Sequence, residues 1–388
     1  MRRVLVAAAL VAGSLLFALA GFELLLRVLG YSAPLWYRPD PELGWRLRPG
    51  LAAWYTQEGR AFVRVNAAGS RDDREYARAK PAGVYRIAVL GDSYSEAMQV
   101  PRSQTYWALL PGRLAACGFR DARPVEVLNF GVSGYGTAQE VLALESTALG
   151  YRPDLVLLQF TNGNDVRNNS RALEDEKARP FFVLRQDGLR LDASFAASPR
   201  FQQRISPAFT ALRAAADYSR VVQLVREARP SRLLSSAQAA PAGAGVEQGM
   251  EPLVLAPPRD APWEQAWRIT EALISKTRDL AARNGAGFVL VTVPYAIQVH
   301  PERRQREALQ AELGVPDLLY PDRRLERFAA RAGIRAIALA PEMQRLAEQT
   351  GAYFHGFEGS GMGRGHWNAQ GHHVAAELIA RRLCSEAP

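Results

Sequence analysis

YRIAVLGDSYS, residues 85–95, contains the pattern from which the fold can be predicted. Its first six residues are mostly apolar and β-forming, and a turn-forming Gly-Asp-Ser follows at once. A near-continuous apolar run of this length is typical of a parallel strand that is buried on both faces. Ligands bind beyond the carboxyl ends of such strands, so the pattern predicts Ser93 at a binding crevice.

The same kind of run recurs along the chain, with helical patterns between the runs. The further apolar runs cover residues 125–130, 155–160, 288–293 and, more weakly, 335–339. The helical patterns cover residues 104–116, 138–149, 262–284 and 369–383. Alternation of strands and helices predicts an α/β fold, specifically a doubly wound, flavodoxin-like parallel sheet of five strands with helices on both faces.

An insertion of different character, residues 166–261, separates the third and fourth predicted strands. Residues 181–191 alternate like a hairpin whose turn is Asp187-Gly188. Residues 206–227 have a helical pattern, and residues 229–261 are rich in Pro, Ala, Gly and Ser, which predicts a mobile loop. Because the insertion follows the carboxyl end of a strand, we expect a lid or substrate wall.

The N-terminus predicts a membrane segment over residues 1–30. Arg2-Arg3 precedes Val4–Phe22, which is 19 residues without a charge and long enough to span a bilayer. The arginine pair predicts an N-terminus inside and an exported remainder. Ala18-Leu19-Ala20 also fits a signal-cleavage site, which would give a secreted protein, but the apolar run is longer than a signal core and favours an uncleaved signal-anchor. A buried helix of a soluble core is a third reading, disfavoured by the basic pair.

Residues 31–84 predict an irregular N-terminal arm, because prolines interrupt any long helix. Within the arm, residues 62–65 alternate like a short strand. The arm precedes a catalytic domain expected over residues 85–388.

Composition excludes several classes of protein. The chain has 388 residues, of which 48% are hydrophobic and 22% charged, so global disorder is excluded. The net charge of +9 comes almost entirely from scattered arginines, which does not indicate a nucleic-acid partner. Two cysteines, Cys117 and Cys384, cannot form a four-thiolate zinc site, although one disulfide in an oxidising compartment stays open.

Residues suited to acyl transfer follow the predicted strands. Ser93 stands at a strand-to-helix turn, where free N–H groups and the helix dipole favour developing negative charge. His366 precedes the last helix and can accept the serine proton. The Gly131 N–H and the Asn164 amide, after the second and third strands, can donate to an oxyanion. We expect neither metal nor cofactor, because the histidines lack a metal-ligand motif.

These segments resemble the four sequence blocks of the SGNH/GDSL hydrolase superfamily. The matching blocks are Gly91-Asp92-Ser93, Asn129 through Gly136, Gly163-Asn164-Asp165, and His366 in His-Trp-Asn-x-x-Gly-His. The resemblance covers residues 85–165 and 287–383. It implies that Ser93 is the nucleophile and His366 the base.

The resemblance also implies the surroundings of the nucleophile. The oxyanion hole would combine the N–H groups of Ser93 and Gly131 with the Asn164 amide. Supporting roles fall to the other block residues, Gly91, Asp92, Gly163 and Asp165.

One position departs from the superfamily pattern. Its members usually have Asp three residues before the histidine, and here that residue is Gly363. The nearest preceding carboxylate is Glu358, and a glycine-rich loop could bring it, or a backbone carbonyl, to the imidazole. We therefore predict a Ser93–His366 dyad with Glu358 as its candidate third member.

The sequence predicts an exported serine esterase that acts on short acyl groups, foremost O-acetyl, of carbohydrate or cell-envelope polysaccharide. An O-acyltransferase that uses the same acyl-enzyme is the alternative, and a non-catalytic glycan-binding module is the second alternative. The anchor and the arm ending at residues 66–72 resemble those of bacterial envelope-associated members. That looser resemblance implies an inner-membrane protein with its catalytic domain on the periplasmic or extracellular side, and polysaccharide-assembly proteins as partners.

Overall fold

The computed structural model describes residues 1–228 and 250–385, and it begins with one long apolar helix, α1 (Arg2–Val28). By length and composition this helix could cross a membrane, and the most apolar 18 residues of the helix are all exposed or half-exposed, none of them buried. Leu26, near its end, is buried against the rest of the chain.

The arm after α1 consists of two short antiparallel hairpins. The first pairs β1 (Tyr37–Asp40) with β2 (Gly44–Leu47), and the second pairs β3 (Ala52–Tyr55) with β4 (Ala61–Arg64). The predicted short strand is β4, whose residues are alternately buried and exposed. The arm is more regular than the sequence indicated, because strands of four residues are too short to stand out from irregular chain.

The remaining elements follow the predicted alternation. The strands are β5 (Tyr85–Leu90), β6 (Val125–Asn129), β7 (Leu155–Thr161), β8 (Phe181–Arg185), β9 (Gly188–Asp192), β10 (Gly287–Val293) and β11 (Arg335–Ala338). The helices are α2 (Ser93–Glu96), α3 (Tyr106–Ala116), the left-handed turn α4 (Phe119–Ala122), α5 (Thr137–Ser146), α6 (Asp165–Asn168), α7 (Pro199–Ile205), α8 (Pro207–Tyr218), α9 (Arg220–Ala228), α10 (Ala261–Arg283), α11 (Arg303–Leu313), α12 (Tyr320–Ala332), α13 (Ala340–Thr350) and α14 (Ala369–Ser385).

Five parallel strands form the central sheet in the order β6-β5-β7-β10-β11. This is the flavodoxin-like order, and it confirms the predicted fold class. Every residue of β5 and β7 is buried, as expected for strands covered on both faces. The chain reverses its winding direction between β5 and β7, so the turns after these two strands border the crevice where ligands bind.

Helices cover both faces of the sheet. Right-handed crossovers place α3, between β5 and β6, opposite α5, between β6 and β7. The helix α3 packs against α14, whereas α5 packs against α10. The predicted helix over 262–284 is α10, and one side of it is buried, at Trp263, Trp267, Thr270, Ile274, Thr277 and Ala281.

The insertion contains the predicted hairpin, β8–β9, but its two-residue turn is Gln186-Asp187 and not Asp187-Gly188, because Gly188 is already paired with Arg185. The single helix expected over 206–227 is instead two helices, α8 and α9, separated at Ser219. Part of the loop expected over 229–261, residues 229–249, lies outside the described residues. Residues 250–260 lie along the core, where Val254 and Leu255 are buried.

A disulfide joins Cys117, at the end of α3, to Cys384 in α14, with a Cα–Cα distance of 6.3 Å. It ties together two helices that already pack on each other. The pairing that the sequence left open is therefore formed within the chain.

Candidate active site

Ser93 is the first residue of α2, and two residues, Gly91 and Asp92, separate it from the end of β5. Asp92 caps the helix by accepting a hydrogen bond from the Tyr94 N–H at 3.0 Å. A side chain on Gly91 would place a Cβ 2.3 Å from Gln159 Oε1, so only glycine lets the chain turn here. The strand, the glycine and the cap together hold the Ser93 hydroxyl at the carboxyl edge of the sheet.

His366 lies directly against this serine. The Ser93 hydroxyl donates to His366 Nε2 with a separation of 2.8 Å. The two residues are 273 positions apart in sequence and come together because β5 and the loop before α14 end at the same edge. The predicted nucleophile–base pair therefore has hydrogen-bond geometry suited to proton transfer.

The carboxylate beside His366 belongs to Glu58, in the loop between β3 and β4. The His366 ring N–H at Nδ1 donates to Glu58 Oε2 at 2.5 Å, and the His366 backbone N–H donates to Glu58 Oε1 at 2.8 Å. Burial alone would raise the pKa of Glu58, but these hydrogen bonds and the charge of His366 lower it overall. An ionised Glu58 keeps the proton on Nδ1 and leaves Nε2 free to act as a base.

The prediction that Glu358 completes the site is wrong in its geometry. Glu358 is exposed, and Glu58 occupies the Nδ1 position instead. The glycine-rich loop makes room for an incoming side chain rather than supplying one. A Cβ on Gly365 would lie 2.0 Å from Glu58 Oε1.

Sequence reasoning missed Glu58 because nothing in its own surroundings marks it. The usable signal was indirect: the position of the expected acid, Gly363, has no side chain. Its loop also contains Gly365, at a φ of +70°. The glycine at Gly59 adds to the fit, since a Cβ there would lie 2.4 Å from the Gln99 carbonyl oxygen.

Two donors face the space in front of Ser93. The first donor is the backbone N–H of Ser93, at the start of α2, which donates to no acceptor among the described residues. The Asn164 side chain donates one N–H to Asp92 Oδ2 at 3.0 Å, which fixes the orientation of the amide. Ser93 and Asn164 both line the cavity described below, so both donors can reach a ligand there.

Gly131 does not have the expected role in this geometry. Its N–H donates to Asn129 Oδ1 at 3.0 Å, and the residue is not among the described residues that line the cavity. Close packing explains the glycine, because a Cβ would lie 2.4 Å from Ser95 Cβ.

The other block residues support the site from behind. Asp165 accepts a hydrogen bond from the Thr161 N–H at 2.8 Å and lies next to Asn164. Burial and neighbouring carboxylates raise the pKa of Asp165 and of Glu140 well above their ordinary values. The carbonyl of Gly163 accepts from the Glu251 N–H at 2.8 Å, which ties this loop to the last part of the insertion.

Glu96, at the end of α2, links the arm to the sheet. Its carboxylate accepts hydrogen bonds from Tyr37 of β1, at 2.7 Å, and from Ser133 of the loop after β6. Burial raises the pKa of Glu96 to about 7, although these hydrogen bonds oppose the shift. The helix that carries Ser93 is thus held by a carboxyl group that titrates near neutral pH.

Two other histidines, His355 and His372, are buried in the packing around the site. Burial lowers the pKa of each to about 3, so both rings are neutral at ordinary pH. The rings pack against Trp367 with centroid distances of 6.3 Å and 5.5 Å. They belong to the support of the His366 loop.

A cavity of about 770 Å³ opens in front of Ser93 and His366. One wall comes from the arm and carries aromatic side chains, namely Trp36, Tyr37, Trp45, Trp54 and Tyr55. Charged residues of the insertion form another wall, namely Arg167, Glu174, Glu176, Arg179, Arg226 and Glu227. The insertion therefore forms part of the cavity wall.

A family model described as the GDSL-like Lipase/Acylhydrolase family matches residues 89–374. No curated protein matches the chain. Similar solved structures include LAE5, an alpha/beta hydrolase from the metagenome of Lake Arreo in Spain, at 15% identity over 78% of this chain and 96% of that one, with a TM-score of 0.38.

Two acetyl xylan esterases are also among the similar structures. AlAXEase is 14% identical over 76% of this chain and 98% of its own, with a TM-score of 0.39. Axe2 of Geobacillus stearothermophilus is 12% identical over 77% of this chain and 94% of its own, with a TM-score of 0.38.

Proposed function

Because the chain belongs to the GDSL-like Lipase/Acylhydrolase family, we propose that this acyl ester hydrolase removes short acyl groups, foremost O-acetyl, from carbohydrate. The observation that carries the proposal is the hydrogen-bonded series from Ser93 through His366 to Glu58. A serine, an imidazole and a carboxylate in this order are the parts of nucleophilic acyl transfer.

In the proposed acylation step, Ser93 Oγ attacks the carbonyl carbon of the ester and gives its proton to His366 Nε2. The carbonyl oxygen becomes an oxyanion, which the Ser93 N–H and the Asn164 amide stabilise. Each such donor lowers a barrier by about 3 kcal/mol in comparable sites. The ester C–O bond then breaks, and the departing alkoxide takes the proton from Nε2, leaving an acyl-enzyme and a free hydroxyl group.

Deacylation repeats the step with water as nucleophile. His366 Nε2 removes a proton from the water, the hydroxide oxygen bonds to the acyl carbon, and Ser93 Oγ leaves and recovers a proton. Glu58 positions the ring and stabilises the imidazolium in both steps, because its lowered pKa keeps it ionised.

Carbohydrate is the proposed substrate class because of the cavity lining. Sugars offer apolar ring faces and many hydroxyl groups, and the cavity presents exposed and half-buried aromatic rings together with charged side chains. At about 770 Å³ the cavity is far larger than an acetyl group requires, so it can hold the glycan that carries the ester.

The same volume supports an O-acyltransferase as the second candidate. A cavity that holds the donor glycan also has room for an acceptor hydroxyl, and that hydroxyl could replace water in the second step. Hydrolysis and transfer differ in the product, not in the catalytic residues.

We further propose that the enzyme is anchored in the inner membrane by α1 with its catalytic part outside the cytoplasm. The supporting observations are the exposed apolar surface of α1, the arginine pair before it, and the disulfide, since disulfides persist in oxidising compartments. Secretion after cleavage is the alternative location.

The proposed activity is tested by measuring acetate release and acetyl transfer with acetylated glycans. We expect the Ser93→Ala enzyme to lose at least about three orders of magnitude in kcat/KM, because no other group replaces the nucleophile. Ser146→Ala, which alters an exposed serine of α5, is the matched control and should keep full activity.

The products decide between the two candidates. Free acetate identifies the esterase, whereas an acetylated acceptor glycan identifies the transferase. A folded wild-type protein that gives neither product and resists a fluorophosphonate probe would contradict both and favour a glycan-binding module.

A further inference from the structure

The helix α9 exposes two valines to solvent and buries a glutamine. Val222 and Val225 are 41% and 47% exposed, whereas Gln223 is fully buried. A surface helix normally turns its apolar stripe inward and its polar residues to water. The exposed valines of α9 therefore indicate an apolar partner that replaces water at this surface.

The inward polar side of α9 binds the chain that follows α1. The Ala33 N–H donates to Gln223 Oε1 at 2.8 Å, and Arg226 donates to the Ala33 carbonyl oxygen. The Tyr31 hydroxyl donates to Glu227 Oε2 at 2.6 Å. These contacts fix the orientation of α9 about its axis, so the helix cannot rotate to bury its two exposed valines without breaking them.

The end of α1 holds the beginning of α9. Glu23 of α1 accepts hydrogen bonds from the backbone N–H groups of Arg220 and Val221, each at 3.0 Å. Arg27 donates to the Tyr218 carbonyl oxygen at 2.7 Å and lies over the Tyr218 ring at 4.5 Å. The helix α9 is thus fixed to α1 at the level of Glu23.

This level coincides with the expected edge of the bilayer. The uncharged run Val4–Phe22 spans about 28 Å at the helical rise of 1.5 Å per residue, close to the thickness of a hydrocarbon core. Exposed apolar side chains continue past Glu23 at Leu24, Leu25, Val28 and Leu29, at the end of α8 (Tyr218), and on α9 (Val222 and Val225). Because α1 and α9 contact each other, the exposed apolar side chains of both helices lie at the same level of the molecule.

We propose that α9 is an interfacial helix, with Val222, Val225 and Tyr218 buried in the boundary region of the same bilayer that holds α1. We call the surface formed by these three side chains the valine face. The inference depends on the proposed anchoring by α1 and not on any catalytic role. An amphipathic helix with aliphatic and aromatic residues on one side and charges on the other is suited to lie in the plane of an interface.

The valine face also fixes where the active site lies. Arg226 and Glu227 of α9 line the cavity that contains Ser93 and His366. With α9 in the interface, this cavity is held at the surface of the membrane. The acylated glycan would then be one that lies close to the bilayer.

The proposal is tested with an environment-sensitive dye on the full-length protein in vesicles of phosphatidylethanolamine and phosphatidylglycerol. Single cysteines are introduced by Val222→Cys or Val225→Cys and labelled, while Cys117 and Cys384 are protected by their disulfide. Val11→Cys in α1 is the control for membrane insertion. Asp187→Cys, at the exposed tip of the β8–β9 hairpin, is the control for a water-exposed site.

We expect lipids with a doxyl group near the headgroup to quench the dyes at 222 and 225 at least about twofold more than the dye at 187. Equal quenching at 187, 222 and 225 would overturn the valine face. So would dyes at 222 and 225 that are shielded from water but not quenched by lipid, because protein would then cover them.

The same measurements separate this inference from the proposals on which it depends. A dye at 11 that is not quenched by lipids with a doxyl group deep in the acyl chain would overturn the anchoring and the valine face together. Quenching at 11 without quenching at 222 and 225 would overturn the valine face alone. Ser93→Ala should give the same quenching as the wild type, so loss of activity has no bearing on the result.

Discussion

The carboxylate that orients His366 comes from Glu58, 308 positions earlier in the chain. Both oxygens of Glu58 accept hydrogen bonds from this one histidine, at the ring and at the backbone. The contact at the backbone fixes the loop, and the contact at Nδ1 fixes the tautomer. A single side chain therefore sets both the position and the protonation of the base.

Glu58→Gln should lower kcat by about two to four orders of magnitude with little change in KM. An amide can donate to Nδ1 and so favour the tautomer whose Nε2 already carries a proton. Glu358→Gln makes the same chemical change in an exposed loop and should leave kcat at the wild-type value. The rate of acetate release measures both variants.

Partial recovery in Glu58→Asp would identify the charge as the active property. Wild-type kcat in Glu58→Gln would remove this residue from the mechanism, and a large loss in Glu358→Gln would restore the original sequence-based assignment.

At the residue level, the sequence predicted the residues that stand at the ends of buried strands. Ser93 and Asn164 follow β5 and β7, so parallel-sheet geometry alone brings them together. Glu58 could not be predicted in this way, because its position depends on how a loop between two short strands lies over another loop. Gly131 lies in the predicted sequence block, but its N–H donates to Asn129 Oδ1 and not to the expected oxyanion hole.

Among the elements, α2 carries both the nucleophile and the carboxyl group that links the arm to the sheet. It is four residues long, begins with Ser93 and ends with the buried Glu96. Glu96 holds Tyr37 of the arm and Ser133 of the loop after β6, so this one carboxyl group joins three segments around the cavity.

Glu96 should make the stability of the protein depend on pH near neutrality. Burial raises its pKa from an ordinary value of 4.5 to about 7, so the folded state binds a proton more tightly than the unfolded state. The stabilisation is complete below about pH 4.5 and is lost as the pH rises toward 7. By linkage it amounts to about 3 kcal/mol.

Glu96→Gln removes the titrating group and keeps the size of the side chain. We expect the melting temperature of the wild type to fall more between pH 5 and pH 8 than that of the variant. Identical pH profiles for the two proteins would show that Glu96 does not titrate in this range.

The elements of the central sheet were predictable because length and apolarity mark them. Mostly apolar runs of four to seven residues, which are buried throughout in β5 and β7 and separated by helical patterns, leave few alternatives to a parallel sheet. The hairpins of the arm and the break between α8 and α9 were not predictable. Their conformations depend on contacts with α1 and with the site, and these contacts lie far away in sequence.

On the scale of the whole molecule, the Cys117–Cys384 disulfide connects α3 with the last helix, α14. His366 precedes α14 by three residues. The bond therefore secures the end of the chain that carries the base against the layer that also supports β5 and Ser93.

Replacement of both cysteines by serine should lower the free energy of unfolding by about 2–4 kcal/mol, because the unfolded chain is then less constrained. Dithiothreitol should lower the melting temperature of the wild type to that of the double variant and leave the variant unchanged. Thiol titration of protein isolated without reductant checks the bond directly. Two reactive thiols in the folded wild type would contradict it.

The placement of Glu58 has a consequence for how related chains are compared. The family model begins at residue 89, thirty-one positions after this glutamate. A polypeptide trimmed to the matched region would keep the nucleophile, the imidazole and the amide donor, yet the imidazole would have no anionic neighbour. Surveys that score only the shared region would class such chains as defective enzymes, although the missing acid is encoded upstream of that region.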